Sequence, residues 1–415
     1  MTTGTADGMT EGTAAGIADY AREISGEVAG LRHALHAEPE IGLDLPKTQA
    51  KVLAALEGLP LEISTGRALS SVTAVLRGGR PGSTVLLRGD MDALPITERT
   101  GVPYESSIAG AMHACGHDLH TAMLAGAARV LSARQADLPG NVIFMFQPGE
   151  EGAGGARLMI DEGVLDAAGE RPVAAYALHV ASGMLPLGVS ASRPGTAMAA
   201  ADQLHVTVRG RGGHGAQPHH AADPVPVACE IVMALQAMVT RKFDVFDPVV
   251  VTVGTFHAGT ADNVIPDEAA FVATVRTFSS RSRDVISAAT VKLATDIATA
   301  HGLTANAEYV AGYPVTSNDA DEYAFTHKTV GDVFGGHRFV TAPHPLSGSE
   351  DFSYVLQQVP GSFTMIGACP ADRDPLNVPY NHSAEAVFDD AIIADGMTLY
   401  SELAVRRLAE AAAAS

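Results

Sequence analysis

Three short, nearly uninterrupted apolar runs constrain this chain more than any other feature. Ser83–Leu87, Asn141–Phe146 and Ala174–Leu178 lack the polar alternation of a half-exposed strand. Each is far below the roughly 18 apolar residues of a membrane helix. Separated by helical stretches such as Leu119–Leu131, they predict strands buried on both faces of an α/β sheet. Ligands of such sheets sit beyond the carboxyl ends of the strands. The first run stops at Arg88-Gly89-Asp90, the second at Pro148-Gly149-Glu150-Glu151, the third at His179. All three therefore end in residues that bind metal or move protons.

Length decides how such a sheet is completed. A chain of 415 residues exceeds one ordinary core, so two domains or one domain with an insertion are expected. With 47% hydrophobic and 18% charged residues, global disorder is excluded. Lys+Arg number 27 against 47 Asp+Glu, a net charge of −20. That balance argues against a nucleic-acid grip, which needs a basic face, and against a polybasic membrane surface role. Three Cys exclude a disulfide framework and fit a reducing cytoplasm. The start is small and polar with no basic residue before Arg22, unlike a secretory leader. Residues 1 to about 14 read as a mobile tail and Glu410–Ser415 as a frayed helix. Against this plain background, 16 His in an acidic, Cys-poor chain point toward metal chemistry.

From about Thr196 the texture changes. Leu204–Val208 alternates, Pro224–Val239 is amphipathic and Val249–Phe256 is Val-rich. Glu268–Phe278 alternates again, Ser282–His301 is helical and Thr304–Val310 closes the set. This β-α-β-β-α-β order is the split βαβ, or ferredoxin-like, arrangement. After Gly312 a buried strand returns at Ser362–Ile366, followed by a helix from about Asp389 to Ala409. The expected division is 15–195 and 313–410 for a discontinuous α/β domain and 196–312 for the insertion.

The densest chemical cluster is His113-Ala114-Cys115-Gly116-His117-Asp118-Leu119-His120. Gly116 lets Cys115 and His117 turn toward one point, and thiolate with imidazole is a strong pair for zinc and similar ions. Asp118 suits the positive end of the following helix. Glu150-Glu151 fits either a solvated turn or a pair in which one Glu binds metal and the other carries protons. Cys229 reads as core on the apolar face of its helix, and Cys369 as structural. His219, His220, His257, His301, His327 and His337 have no partners identifiable from sequence.

Seven motifs occur in order: Arg88-Gly-Asp90-Met-Asp92-Ala-Leu-Pro95, His113-Ala-Cys115-Gly-His117-Asp118, Gln147-Pro-Gly-Glu150-Glu151-Gly, Gly212-Gly-His214-Gly215, Asp262-Asn263-Val-Ile-Pro266, Ser347-Gly-Ser-Glu350-Asp351-Phe352 and Asn381-His382. Together they resemble the dinuclear metallo-amidohydrolases that include hippurate hydrolases, N-acyl-amino-acid aminoacylases and indole-acetyl-amino-acid hydrolases. The resemblance covers about Leu31 to Leu403. Arg32, His36, Pro39 and Glu40 are similar to that family's opening helix motif.

The resemblance implies a zinc-peptidase-like α/β catalytic domain, with a central mixed sheet flanked by helices and an inserted ferredoxin-like lid and dimerisation domain. It implies two divalent ions (Zn, Mn, Co or Ni) on Cys115, His117, Glu151, His179 and His382, with Glu150 as general acid/base. His214 is then expected beside the substrate, reaching across a homodimer, with Asn263 and Arg276 binding substrate. Related metallopeptidases carry His-x-Asp where this chain has Asp90-Met91-Asp92, so Asp90 is not taken as a ligand. Asp92 is expected to orient a His from behind. The implied reaction splits N-acyl amino acids into a carboxylic acid and a free amino acid. A dipeptidase, carboxypeptidase or carbamoyl-amino-acid hydrolase is the alternative on the same site.

Overall fold

The computed structural model describes residues 11–414. It divides into two compact units. One comprises the chain up to Gly195 with Ser317–Pro343 and Tyr354–Ser415; the other comprises Thr196–Thr316 and His344–Ser353. The second unit thus extends past the expected limit of 312 and takes in a further segment. Leu346 explains the addition, donating its amide to Ala197 O (2.8 Å) and accepting that of Ala199 (3.0 Å).

The first unit opens with α1 (Glu11–His36) and α2 (Pro46–Leu56). Residues 11–14 of the stretch read as a tail are therefore helical, and the rest of that stretch lies outside the described residues. Strands β1 (Leu61–Thr65), β2 (Val72–Arg77) and β3 (Arg80–Asp90) follow, then α3 (His117–Ser132), β4 (Pro139–Gln147), α4 (Gly155–Asp161), β5 (Ala174–Ala181) and β6 (Ser190–Ser192). The chain passes to and from the second unit along β7 (Gly195–Met198) and β14 (Thr316–Asn318). It ends with α7 (Ala320–Phe334), β15 (Phe339–Thr341), α8 (Ser353–Leu356), β16 (Gly361–Gly367) and α9 (Ile392–Ala414). The Ala-rich tail continues α9 through Ala414, as the high helix propensity of Ala favours.

Eight strands form a mixed sheet in the order β1-β2-β4-β3-β5-β16-β6-β15. At its centre β4, β3, β5 and β16 run parallel. Every residue of β5 is buried, as its unbroken apolar sequence predicts. Helices α3 and α9 pack on β3, β4 and β5. Register places Asp90 opposite Gln147 and Arg88 opposite Ala177, which brings three carboxyl ends side by side. The Tyr400 hydroxyl of α9 donates to Arg88 O (2.6 Å) and accepts from Leu178 N (3.1 Å), fastening β3 and β5 near those ends.

The second unit holds β8 (Ala200–Arg209), β9 (Gly213–His214), α5 (Pro224–Lys242), β10 (Val249–Ala258), β11 (Val264–Ile265), β12 (Glu268–Thr277), α6 (Ser280–Ala300) and β13 (Thr304–Tyr313). Its antiparallel sheet runs β10-β12-β8-β13, with α5 and α6 packed on it. The period-2 strands bury Leu204, Val206, Phe271 and Val275 against Ile231, Leu235 and Ile286. Both helices start at side-chain caps, Asp223 accepting from Val225 N and Ser279 from Ser282 N. Each cap is worth about 1 kcal/mol. Cys229, expected in the core, is exposed. The buried stripe of α5 is Val227, Ile231 and Leu235, and Cys229, two residues from Val227, turns to the opposite side.

Candidate active site

The carboxyl ends of β3, β4 and β5 converge with the start of α3. That helix begins at His117, two residues earlier than the apolar periodicity marks, and Gly116 precedes it in the left-handed region (φ +82°). A Cβ at Gly116 would lie 2.3 Å from Val180 Cγ2, so glycine is required on both counts. This turn sets Cys115 and His117 side by side.

Hydrogen bonds fix the direction of each imidazole. His117 Nδ1 bonds Asp92 O (2.8 Å), leaving Nε2 4.0 Å from both Glu150 Oε2 and Glu151 Oε1. His179 Nδ1 bonds Val180 O (3.0 Å), so its Nε2 faces Cys115 Sγ at 3.4 Å. His382 takes a positive φ of 71°, an uncommon conformation for a non-glycine residue. Its Nε2 lies 3.3 Å from Cys115 Sγ and 3.1 Å from Glu151 Oε1. The His382 pKa is pushed up to about 10 by Cys115 and Glu151. Burial alone would lower that of His117, yet Asp90, Asp92 and Cys115 raise it well above the ordinary value. Burial holds His179 well below its ordinary value. The cluster therefore attracts positive charge at two places.

The carboxylate of Asp92 accepts the amides of Glu150 (2.9 Å) and Glu151 (3.0 Å), while its main-chain carbonyl holds His117. The closer orienting contact comes from the backbone; the carboxylate lies 3.6 Å from the same His117 nitrogen and also shapes the Glu150-Glu151 turn. Glu150 is buried and Glu151 nearly so, which the solvated-turn alternative does not accommodate.

Behind this layer lies a buried group the sequence reading did not assign. Asp90 accepts from Arg88 Nη1 (2.6 Å), and Arg88 Nε reaches Gln147 Oε1 (2.8 Å). Asp90 Oδ1 also meets His120 Nδ1 (2.5 Å), whose Nε2 accepts from Val180 N (2.7 Å). That acceptor role puts the His120 proton on Nδ1. Burial opposes the charge on Asp90, but Arg88, His117 and His120 keep its pKa well below the usual range. Asn381 braces the far side, its Oδ1 accepting from Ser182 N (2.9 Å) and its Nδ2 donating to Val180 O (2.9 Å). The buried polar pair at the end of β3 was the available signal for the first group, and the Asn381-His382 motif for the second.

Three overlapping sets of donor atoms lie close enough to share an ion: Cys115, His117 and His179; Cys115, Glu151 and His382; and His117, Glu150 and Glu151. His117 Nε2 is buried without a hydrogen-bond partner, and Glu151 Oε1 has His382 Nε2 beside it, at 3.1 Å. Leaving the His117 nitrogen unsatisfied costs about 1–3 kcal/mol, and a cation accepting its lone pair removes the cost. Thiolate, imidazole and carboxylate together fit divalent transition ions. Asp90, His117 and His120 form a further set, but both His120 nitrogens are already engaged.

In the second unit β9 pairs with β11, placing His214 opposite Val264, and Gly215 N donates to Asn263 O (2.8 Å). His214 and Asn263 are thus brought together, both exposed. A Cβ on Gly215 would lie 3.1 Å from the Asn263 backbone, so the small residue permits the approach. Arg276, half-buried, lies near the other end of β12; eight residues from Glu268, at about 3.4 Å each, separate it from their end by about 27 Å. His301, unassigned from sequence, pairs with Glu230 (2.7 Å).

A buried, metal-fitting cluster with paired carboxylates at the carboxyl ends of a mixed α/β sheet defines a metal-dependent hydrolase. The model of peptidase family M20/M25/M40 matches residues 86–406, and the chain belongs to that family. It is a hydrolase acting on amide bonds. The chain is 35% identical over 387 residues to IAA-amino acid hydrolase ILR1-like 4 of Arabidopsis thaliana, covering 92% of this chain and 86% of that one. It is 33% identical to Thermostable carboxypeptidase 2 of Saccharolobus solfataricus, over 93% of this chain and 96% of that one. A solved Bacillus subtilis structure, described as a dinuclear metal-binding peptidase of the M20 family, aligns with a TM-score of 0.80 and 30% identity, covering 94% and 99% of the two chains. Among the described residues no helix is long and apolar enough to cross a membrane.

Proposed function

We propose that the protein hydrolyses N-acyl amino acids to a carboxylic acid and a free amino acid, using two divalent ions. The observation carrying this reading is the convergence of one thiol, three imidazoles and two adjacent carboxylates, with the buried His117 Nε2 left without a hydrogen-bond partner. Cys115, His117, Glu151, His179 and His382 would hold the ions, with Zn, Mn, Co and Ni all chemically suited. When bound, such ions polarise an amide carbonyl and make a water acidic enough to serve as nucleophile near neutral pH. Glu150 takes the proton from that water as its oxygen adds to the carbonyl carbon, then delivers it to the departing nitrogen as the C–N bond breaks. His214 donates to the developing oxyanion, and Asn263 helps seat the substrate. Arg276 offers a bidentate fork to the free α-carboxylate of the amino-acid half. A thiolate ligand suits the reducing cytoplasm.

A panel of acetyl-, benzoyl- and indole-acetyl amino acids, with their methyl esters, N-carbamoyl amino acids and dipeptides, tests the substrate class. Acyl amino acids with a free carboxylate are expected to turn over fastest. Blocking the carboxylate as an ester should lower kcat/KM by about 10–100-fold, the worth of a charge-assisted contact of about 1.5–3 kcal/mol. Faster turnover of dipeptides would favour a peptidase, a reading supported by the similarity to a carboxypeptidase. No turnover across the panel would sink both.

The separation of about 27 Å along β12 supports assigning His214 and Arg276 of one chain to different substrates, with His214 serving the active site of a partner in a homodimer. Exposed apolar Met233 on α5 and Val245 and Phe246 after it support a partner surface in this unit. His214→Ala and Glu150→Gln should each be nearly inactive alone. Mixed and reassorted, they should regain about one quarter of wild-type activity per site, because half the dimers are hybrids with one intact site each. No recovery in verified hybrids would place His214 in its own chain's site.

A further inference from the structure

Arg32 and His36 lie one turn apart on α1, far in sequence from every proposed ligand, yet both are buried and converge on one atom. Arg32 Nε is 2.7 Å and His36 Nδ1 2.8 Å from Asp118 Oδ2, and Asp118 is wholly buried. Asp118 is the second residue of α3, directly after His117. The start of α3 has no side-chain cap, because Gly116 at that position offers none. The direction of the first turn is instead set from outside, by the two donors of α1.

Each donor is itself held. His36 Nε2 reaches Glu98 Oε1 at 3.0 Å, and Ser106 N donates to the other oxygen of Glu98 at 2.8 Å. Arg32 lies over the Tyr104 ring at 4.5 Å and its Nη1 reaches Asp390 at 3.2 Å. The segment then continues to Glu40, whose main-chain carbonyl accepts from Ala93 N (2.8 Å) and whose carboxylate accepts from Thr48 N at the start of α2 (2.8 Å). Ala93 follows Asp92, which holds His117 and the Glu150-Glu151 turn. One stretch of chain, residues 32–40, thus grips both segments that aim the donor atoms.

Stability alone is a weak account of this arrangement. Burying charges costs desolvation that their attraction often only offsets, and well-packed apolar residues would serve as well. Apolar contacts, however, are non-directional, whereas two hydrogen bonds to one carboxylate oxygen fix an orientation.

We propose that Arg32 and His36 are positioning residues that, through Asp118, set the direction of the Cys115 and His117 donor atoms and so the metal affinity of the site. The proposal rests on the ligand assignment above. Its test is cobalt(II) titration of the metal-stripped full-length protein, with chelator competition, the thiolate-to-cobalt charge-transfer absorption and thermal unfolding followed in parallel. Relative to wild type, His36→Ala is expected to bind cobalt about 10–100-fold more weakly, with an altered charge-transfer band. His36→Asn, whose amide can still donate to Asp118, should recover most of the affinity. Should His36→Ala fail to fold, the isosteric Asp118→Asn carries the same expectation. Wild-type affinity and an unchanged band in these variants, whatever their Tm, would overturn the proposal. A wild-type protein that binds no cobalt would instead overturn the ligand assignment.

Discussion

Glu150→Gln is expected to lower kcat by about a hundred- to ten-thousand-fold while leaving bound metal at the wild-type level. The magnitude is that of a positioned general acid/base. Glutamine keeps the size of glutamate and the backbone amide that donates to Asp92, so the turn survives. What is lost is the ability to take a proton at the carboxylate, which faces His117 Nε2 at 4.0 Å. The neighbouring carboxylate differs in its surroundings. Glu151 Oε1 lies 3.1 Å from His382 and shares a donor set with Cys115. Glu151→Gln should therefore lower metal content together with turnover, whereas Glu150→Gln lowers turnover alone. Elemental analysis beside initial rates separates the two. Wild-type turnover by Glu150→Gln, with metal retained, would show the proton carrier to be another group.

The architecture was legible where chemistry and burial coincide in a short stretch. The apolar runs ending at Asp90, Gln147 and His179 read directly as buried strands with functional ends, because β5 and the carboxyl half of β3 are covered on both faces. The alternation in β8 and β12 likewise announced a second, one-sided sheet. Roles set by long-range partners were not legible. Asp90 with His120, and Arg32 with His36 and Asp118, are joined across 30 to 86 positions, and no local pattern encodes such pairings. Asp92 was expected to orient a His, but the sequence does not say by which group; the main-chain carbonyl bonds His117 Nδ1 at 2.8 Å and the carboxylate lies 3.6 Å from the same nitrogen. Cys229 failed for a geometric reason, since an amphipathic helix has two partly apolar sides and only its partner selects which is buried. His214 and Asn263 stood close in the structure and far apart in the sequence because the β9–β11 pair closes a loop between them.

The account depends most on bound metal, and Cys115 is its most exposed point. Its sulfur belongs to two donor sets, with His117 and His179 on one side and Glu151 and His382 on the other. Losing His179 removes a donor from one set; losing Cys115 weakens both. Cys115→Ala is thus expected to impair binding of both ions, and with them the several kcal/mol of transition-state stabilisation that metal supplies, about a thousandfold or more in rate. The decisive measurement is stepwise return of Mn, Zn or Co to chelator-stripped protein, with bound metal and acyl-amino-acid hydrolysis followed together. Stripping should reduce turnover by about a thousandfold or more, and re-addition should restore it to a plateau at about two ions per chain, while Cys115→Ala stays inactive throughout. Wild-type turnover by protein verified to be metal-free, or by Cys115→Ala at any metal content, would contradict the account.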